Sequence, residues 1–423
     1  MIFTRLARTN GAASTIAMAL ALATGAAVTA TALEAPASAQ KKANPSYSKG
    51  FIAAYSPLQE ALGAETPDPA TVKAAIPAVV AAIENEDDRF AAGGAIVNAG
   101  QKFNDNALAR QGLELMLASG KVAPEQVGPY NFMIGQVAYN AKDYAAARSA
   151  LEAAMAAGYT DNNPEAIIAE TYFAENRDAE GLAYLSNALE ARKAAGGTLE
   201  EDWIKRGLAV AYRGDMKAEA IKFANMYVSE FPSETSWRDA IAILLNTGGY
   251  DKPATLDLLR LGRRAGTLND ARLYGEYVEA ADYRRLPAEV VSVIDEGQSK
   301  GFLSENDAYL VDTRKQAADR AAADRADMDG LLTDARKSGA TLATVMAAGD
   351  AMLSMGRPAE AEEFYLKAST MAGADTPMAL TRLGIAQYDQ GNYAEAQATF
   401  NRVEGARQAI ANLWGVYSGQ QGG

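Results

Sequence analysis

LGIAQYDQGNYAEAQATFNRV, Leu383 to Val403, decides the fold. Leu383 and Gly384 let a first helix approach a neighbour closely, and Gly391 ends that helix because glycine accepts the left-handed backbone of a helix terminus without steric cost. Tyr393 opens a second helix, in which Ala396, Phe400 and Val403 form a stripe facing the first. The same slots recur 35 residues upstream as Gly349, Gly356, Ala361, Tyr365 and Ala368. MIGQVAYNAKDYAAARSALEAAM repeats them again as Gly135, Tyr144, Ala147, Leu151 and Ala154, and 34 residues later come Ala169, Gly181, Leu185 and Ala188. A fifth copy carries Trp203, Gly207, Gly214, Ala220 and a closing Pro232, with one residue inserted in its turn.

This arrangement of small residue, aromatic, turn glycine and Ala-aromatic-Ala resembles the tetratricopeptide repeat, a helix-turn-helix of about 34 residues. Trp203, Gly207 and Pro232 match the family's first-helix tryptophan and inter-repeat proline. The resemblance covers roughly residues 128–403 and implies an all-α fold, a right-handed α-solenoid of stacked antiparallel helix pairs. No such pair can bury its apolar face alone, so neighbours must stack. Trp237 starts a degenerate copy with Pro253 where a small alanine belongs, and Gly275, with Tyr274 and Tyr277, opens another whose second helix follows Leu286-Pro287.

The order expected along the chain is a signal peptide over 1–39, divergent helix pairs over 40–127, and repeats over 128–310 that degenerate after about 234. A charged helical connector over 311–340 precedes two repeats over 341–404, a capping helix over 405–418 and a disordered tail over 419–423. Arg5 and Arg8 ahead of the apolar run from about Gly11 to Leu33, with Pro36 and Ala37-Ser38-Ala39 after it, carry the export signal. Cleavage after Ala39 predicts a mature protein without a membrane span, located in the periplasm of a bacterium with two membranes. Within the connector, Asp and Arg alternate in VDTRKQAADRAAADRADMDGLLTDARKSG, which predicts a solvated helix carrying intrahelical ion pairs. Leu413, Trp414 and Tyr417 are expected to cover the last repeat.

Among 423 residues there is no histidine and no cysteine. That composition excludes Ser/His/Asp and Cys/His catalysis, thiolate chemistry and the usual His or Cys sites for zinc, haem and iron-sulfur clusters. Lipid attachment through cysteine and disulfides are excluded with them. The sequence contains no phosphate-binding glycine loop and no calcium loop of acidic residues, so neither cofactor nor metal is expected. The formal charge is -13, and loss of Arg5, Arg8 and Glu34 with the signal peptide makes it -14. So acidic a chain has no general attraction for nucleic acid or anionic lipid.

The resemblance places a concave face on first-helix positions, which here are Phe132, Gln136, Tyr139, Asn140, Glu170, Phe173, Tyr212, Arg238, Asn246 and Tyr388. An aromatic and amide lining suits an extended peptide or a helix. Gln136 and Asn140 lack the neighbouring lysine of the family's carboxylate clamp. Arg260, Arg263, Arg264, Arg272, Arg284 and Arg285 run against the overall charge, but Asp257, Asp270, Glu276, Glu279 and Asp282 interleave with them, and an ordinary solvated face is the simpler expectation. Taken together, these features predict a non-enzymatic scaffold or adaptor for another envelope protein or peptide segment, serving assembly or transport. The alternatives are a carboxylate-dependent glycan-active enzyme, which needs no histidine, and a solenoid that self-associates through its ends.

Overall fold

A computed structural model describes residues 45–422. The expected signal peptide and its cleavage point lie outside the described residues. Twenty α-helices and one short 3-10 turn make up the described chain, and no strand occurs among the described residues. The described helices fall into two compact units that meet in sequence between residues 188 and 189.

The first unit contains α1 (Lys49–Gly63), α2 (Pro69–Ala81), α3 (Glu86–Lys102), α4 (Asn106–Ala118), α5 (Pro124–Asn140), α6 (Tyr144–Ala156), α7 (Pro164–Ala174) and the start of α8 (Asp178–Ala194). Side-chain oxygens set the helix starts: Asp105 accepts from the Leu108 N–H at 3.1 Å and Asp143 from Ala146 at 3.2 Å, satisfying donors that the first turn leaves open. Helices pair consecutively, α1 with α2, α3 with α4 and α5 with α6. A core of Phe51, Leu58, Val72, Ile76, Val79 and Ile96 holds the first three together, with Leu108 and Leu115 of α4 packed against it. The α3–α4 pair is the tightest: a Cβ on Gly93 would come within 2.7 Å of the Gly112 carbonyl, and one on Gly100 within 2.5 Å of the Ala109 nitrogen. The run AAGGAIVNAG thus lets two backbones touch. Asp88 is fully buried here and accepts N–H bonds from Ser48 and Glu84 at 3.0 and 3.1 Å. Burial alone would raise its pKa, but these donors outweigh burial and hold the carboxyl below its ordinary value.

The second unit continues with α9 (Glu201–Arg213), α10 (Lys217–Glu230), α11 (Glu234–Thr247), α12 (Lys252–Arg264), α13 (Ala271–Ala281), α14 (Pro287–Ser299), the 29-residue α15 (Ala308–Arg336), α16 (Leu342–Ser354), α17 (Pro358–Ser369), α18 (Thr376–Asp389), α19 (Tyr393–Phe400), a 3-10 turn (Gly405–Arg407) and α20 (Gln408–Gln421). The repeat spacing becomes a packing rule: added Cβ atoms at Gly349 and Gly384 would strike the rings of Tyr365 and Phe400 at 2.8 and 2.6 Å, and one at Gly207 would strike Phe223. Gly135 meets Leu151 in the same way in the first unit, at 2.6 Å. In all four cases the partner lies sixteen residues downstream.

The turns follow the same economy. Gly391 and Gly356 take positive φ, 82° and 70°, and the N–H after each reaches back five residues, Asn392 to Gln387 at 3.0 Å and Arg357 to Met352 at 2.9 Å, the bond pattern of a left-handed helix terminus. Lys142 fills this slot at φ 63° in the α5–α6 turn. In the turn after α9 the left-handed residue is Asp215 and not Gly214, displaced by the inserted residue.

Two features of the second unit differ from the sequence expectation. α20 continues through Gln421, where a disordered tail from 419 was expected, and Gln420 donates to the Val228 carbonyl at 2.7 Å. Beyond covering the last repeat, where Trp414 stacks on Phe400 at 5.7 Å, α20 packs against α10 and α12 as well. The end of this unit therefore folds back onto its beginning. α15 carries the charged run, with Arg320 paired to Asp324, but it also buries a stripe of Leu310, Ala317, Ala321, Met328 and Leu332, where a solvated helix was expected.

Candidate functional site

The residues expected on a concave face divide between the two units. In the first, Phe132, Gln136, Tyr139 and Asn140 share a face of α5, and Glu170 and Phe173 lie on α7. Phe132 is buried against Tyr159, ring centroids 4.9 Å apart, and Phe173 is buried against Gly181. Gln136, Tyr139 and Glu170 are partly exposed and Asn140 is exposed. In the second unit Tyr212, Arg238 and Tyr388 are partly exposed and Asn246 is exposed. Tyr388 belongs to an aromatic cluster, 5.2 Å from Tyr393 and 5.5 Å from both Trp414 and Tyr417. Asp389 beside it is engaged by Arg264, whose Nε donates to it at 2.6 Å.

The arginine cluster divides: Arg272, Arg284 and Arg285 are exposed, as a solvated face requires, whereas Arg263 and Arg264 are partly buried and Arg260 is buried. Arg260 is fully buried, with its Nη1 2.9 Å from Asp257 and its Nε and Nη2 2.8 and 2.6 Å from Glu289. Asp257 also accepts from Arg407 Nη1 at 2.6 Å and lies 3.4 Å from Arg382 Nε, while its backbone carbonyl accepts from Trp414 Nε1 at 2.9 Å. Arg382 Nη1 reaches Asp350 at 2.7 Å, and Tyr365 and Tyr277 donate to Asp350 and Glu289 at 2.8 and 2.7 Å. Three guanidinium groups thus face three carboxylates, drawn from α12, α14, α16, α18 and the turn before α20. Burial alone would raise the Asp257 pKa; Arg382, Arg260 and Arg407 overcome it and hold the carboxyl below its ordinary range. Glu289 behaves likewise, burial being outweighed first by Arg260. Both carboxylates are therefore ionised at neutral pH.

Sequence reasoning missed this network because its carboxylates and arginines lie far apart along the chain. One signal was present: Asp257 and Arg260 interrupt the apolar run Leu256 to Leu261, and Arg382 interrupts another from Ala379 to Ala386. A charge in the middle of a buried stripe needs a partner of opposite sign.

Beside the network opens a cavity of about 850 Å³. Arg260, Arg263, Arg264, Arg325 and Arg357 line it against three carboxylates, Glu289, Glu296 and Asp389. Arg263 is held by Glu296 at 2.6 Å and Ser292 at 2.8 Å. Among the described residues no group of histidine, cysteine or acidic side chains is placed to hold a metal ion, and no helix is long and apolar enough to cross a membrane.

A family comparison matches the tetratricopeptide repeat over residues 378–404, the stretch that forms α18 and α19. Residues 378–404 are similar to a tetratricopeptide repeat. With helices packing consecutively inside each unit, the match supports a repeat protein of the tetratricopeptide type. No curated protein matches the chain. Tetratricopeptide repeats suggest a protein–protein interaction scaffold with protein partners, and this type of helical repeat is typically non-catalytic.

Proposed function

We propose that this chain is an exported, non-enzymatic interaction scaffold that holds an envelope protein or a peptide segment of one, in service of assembly or transport. The observation that carries the reading is the tetratricopeptide repeat at 378–404, continued by helix pairs in which the same glycine-to-ring contact recurs. The charged, then apolar, then small-residue N-terminus supports export to the periplasm. Crosslinking in intact cells, followed by affinity purification and mass spectrometry, tests the scaffold role. One or a few envelope proteins should be recovered in stoichiometric amounts; recovery of the protein alone under every growth condition contradicts it. N-terminal sequencing of the protein released by osmotic shock tests export. The expected first residue is Gln40, and retention of an intact Met1 start in the cytoplasmic fraction contradicts the assignment.

A further inference from the structure

We infer that the 850 Å³ cavity of the second unit is a binding site for an acidic peptide segment, read by Arg325, Arg357 and Arg263. The inference rests on the scaffold reading and names the chemistry of the partner at one place. In a chain of net charge -13, this cavity is lined by more arginines than carboxylates.

The arginines are unequal. Arg260 and Arg264 are consumed by Glu289, Asp257 and Asp389, so they furnish a rigid wall of paired charges and little spare hydrogen-bonding capacity. Arg263 still has one guanidinium nitrogen, Nη1, outside its bonds to Glu296 and Ser292. Arg325 stands out on α15, where Arg314, Lys315, Arg320 and Arg336 each pair with a carboxylate. It is exposed, lines the cavity and has no ion pair among the described residues. Among the described residues the Arg357 side chain is tied to Glu360 alone, three residues on in the first turn of α17 and outside the lining.

The backbone adds to this field. The first residues of two helices line the cavity, Ala288 and Glu289 of α14 and Arg357 with Pro358 at the head of α17; neither N-cap residue supplies a side-chain cap, although the Glu289 N–H donates to Ser354 Oγ at 3.0 Å. Positive helix ends and guanidinium forks together favour carboxylates, which accept bidentate bonds from arginine. The volume is that of a site for a ligand of many atoms rather than a single ion. A run of aspartate or glutamate side chains on an extended segment meets these demands.

Fluorescence anisotropy of the mature protein with labelled hexaglutamate, and with hexaglutamine as the neutral match, tests the inference. Hexaglutamate should bind and weaken as salt rises, while hexaglutamine should not bind. The double substitution R325E/R357E changes two side chains outside the buried network and should weaken hexaglutamate binding at least about tenfold, with helix content and thermal midpoint retained. Absence of hexaglutamate binding to the wild-type protein, or equal binding to the double variant, overturns the site. Binding of inorganic phosphate that the variant abolishes, without hexaglutamate binding, overturns the peptide assignment. If crosslinking still recovers a partner that R325E/R357E holds as well as the wild type, the cavity assignment fails and the scaffold reading stands; if no partner is recovered at all, the scaffold reading fails.

Discussion

Asp257 is the residue on which the second unit turns. It has no exposed surface, and three arginines from three separate segments converge on it. Replacing it with alanine leaves Arg382 and Arg407 buried beside a void, and removal of one partner from a buried ion pair costs about 3–5 kcal/mol. Urea unfolding of Asp257→Ala should show that loss; a midpoint within experimental error of the wild type would mean the arginines find water instead. The pH response follows from the same contacts. Asp257 and Glu289 have folded pKa values held below those of the unfolded chain, near 4. Their contribution is complete above that unfolded value and is lost as pH falls through the lower folded value. Stability should stay level from pH 7 to about 5 and fall below about 4, more steeply in the wild type than in Asp257→Asn.

At the level of the helix pair, the glycine-to-ring contact was legible in the sequence. Gly349, Gly384 and Gly207 each sit sixteen residues before the aromatic that lies over them, and the spacing alone marks the crossing. Gly384→Val should destabilise the protein by about 1–3 kcal/mol through overpacking against Phe400, and Phe400→Leu in the same chain should recover part of that loss. A double variant no more stable than Gly384→Val would show that the crossing is set elsewhere. In the other direction, Lys142 holds a left-handed turn at φ 63° that glycine fills in the α16–α17 and α18–α19 turns. Lys142→Gly should raise stability by about 0.5–1 kcal/mol, read as a higher urea midpoint. The α3–α4 pair was harder to read, since Gly93, Gly100 and Gly112 make backbone-to-backbone contacts without the aromatic that signals a repeat.

At the scale of the second unit, the sequence expresses a row of hairpins and the structure closes that row. Local periodicity specifies which residues face the adjacent helix, whereas closure depends on contacts between residues more than 100 positions apart, such as Arg264 with Asp389 and Trp237 with Gln420. No local pattern encodes such pairs. α20 is the closing piece: Trp414 is fully buried, Tyr417 donates to the Arg264 carbonyl at 2.6 Å, and the Tyr417 ring meets Trp237 at 5.0 Å. The candidate site divides in the same way. Arg263 and Arg264 were noticed as a run of like charge, while Arg325 and Arg357 join them only through the fold. Amide hydrogen exchange on the intact protein, resolved by peptide, tests this closure most directly. Residues 408–421 should exchange slowly, together with α12 and as one cooperative unit; rapid exchange of 408–421 while α12 stays protected would contradict it.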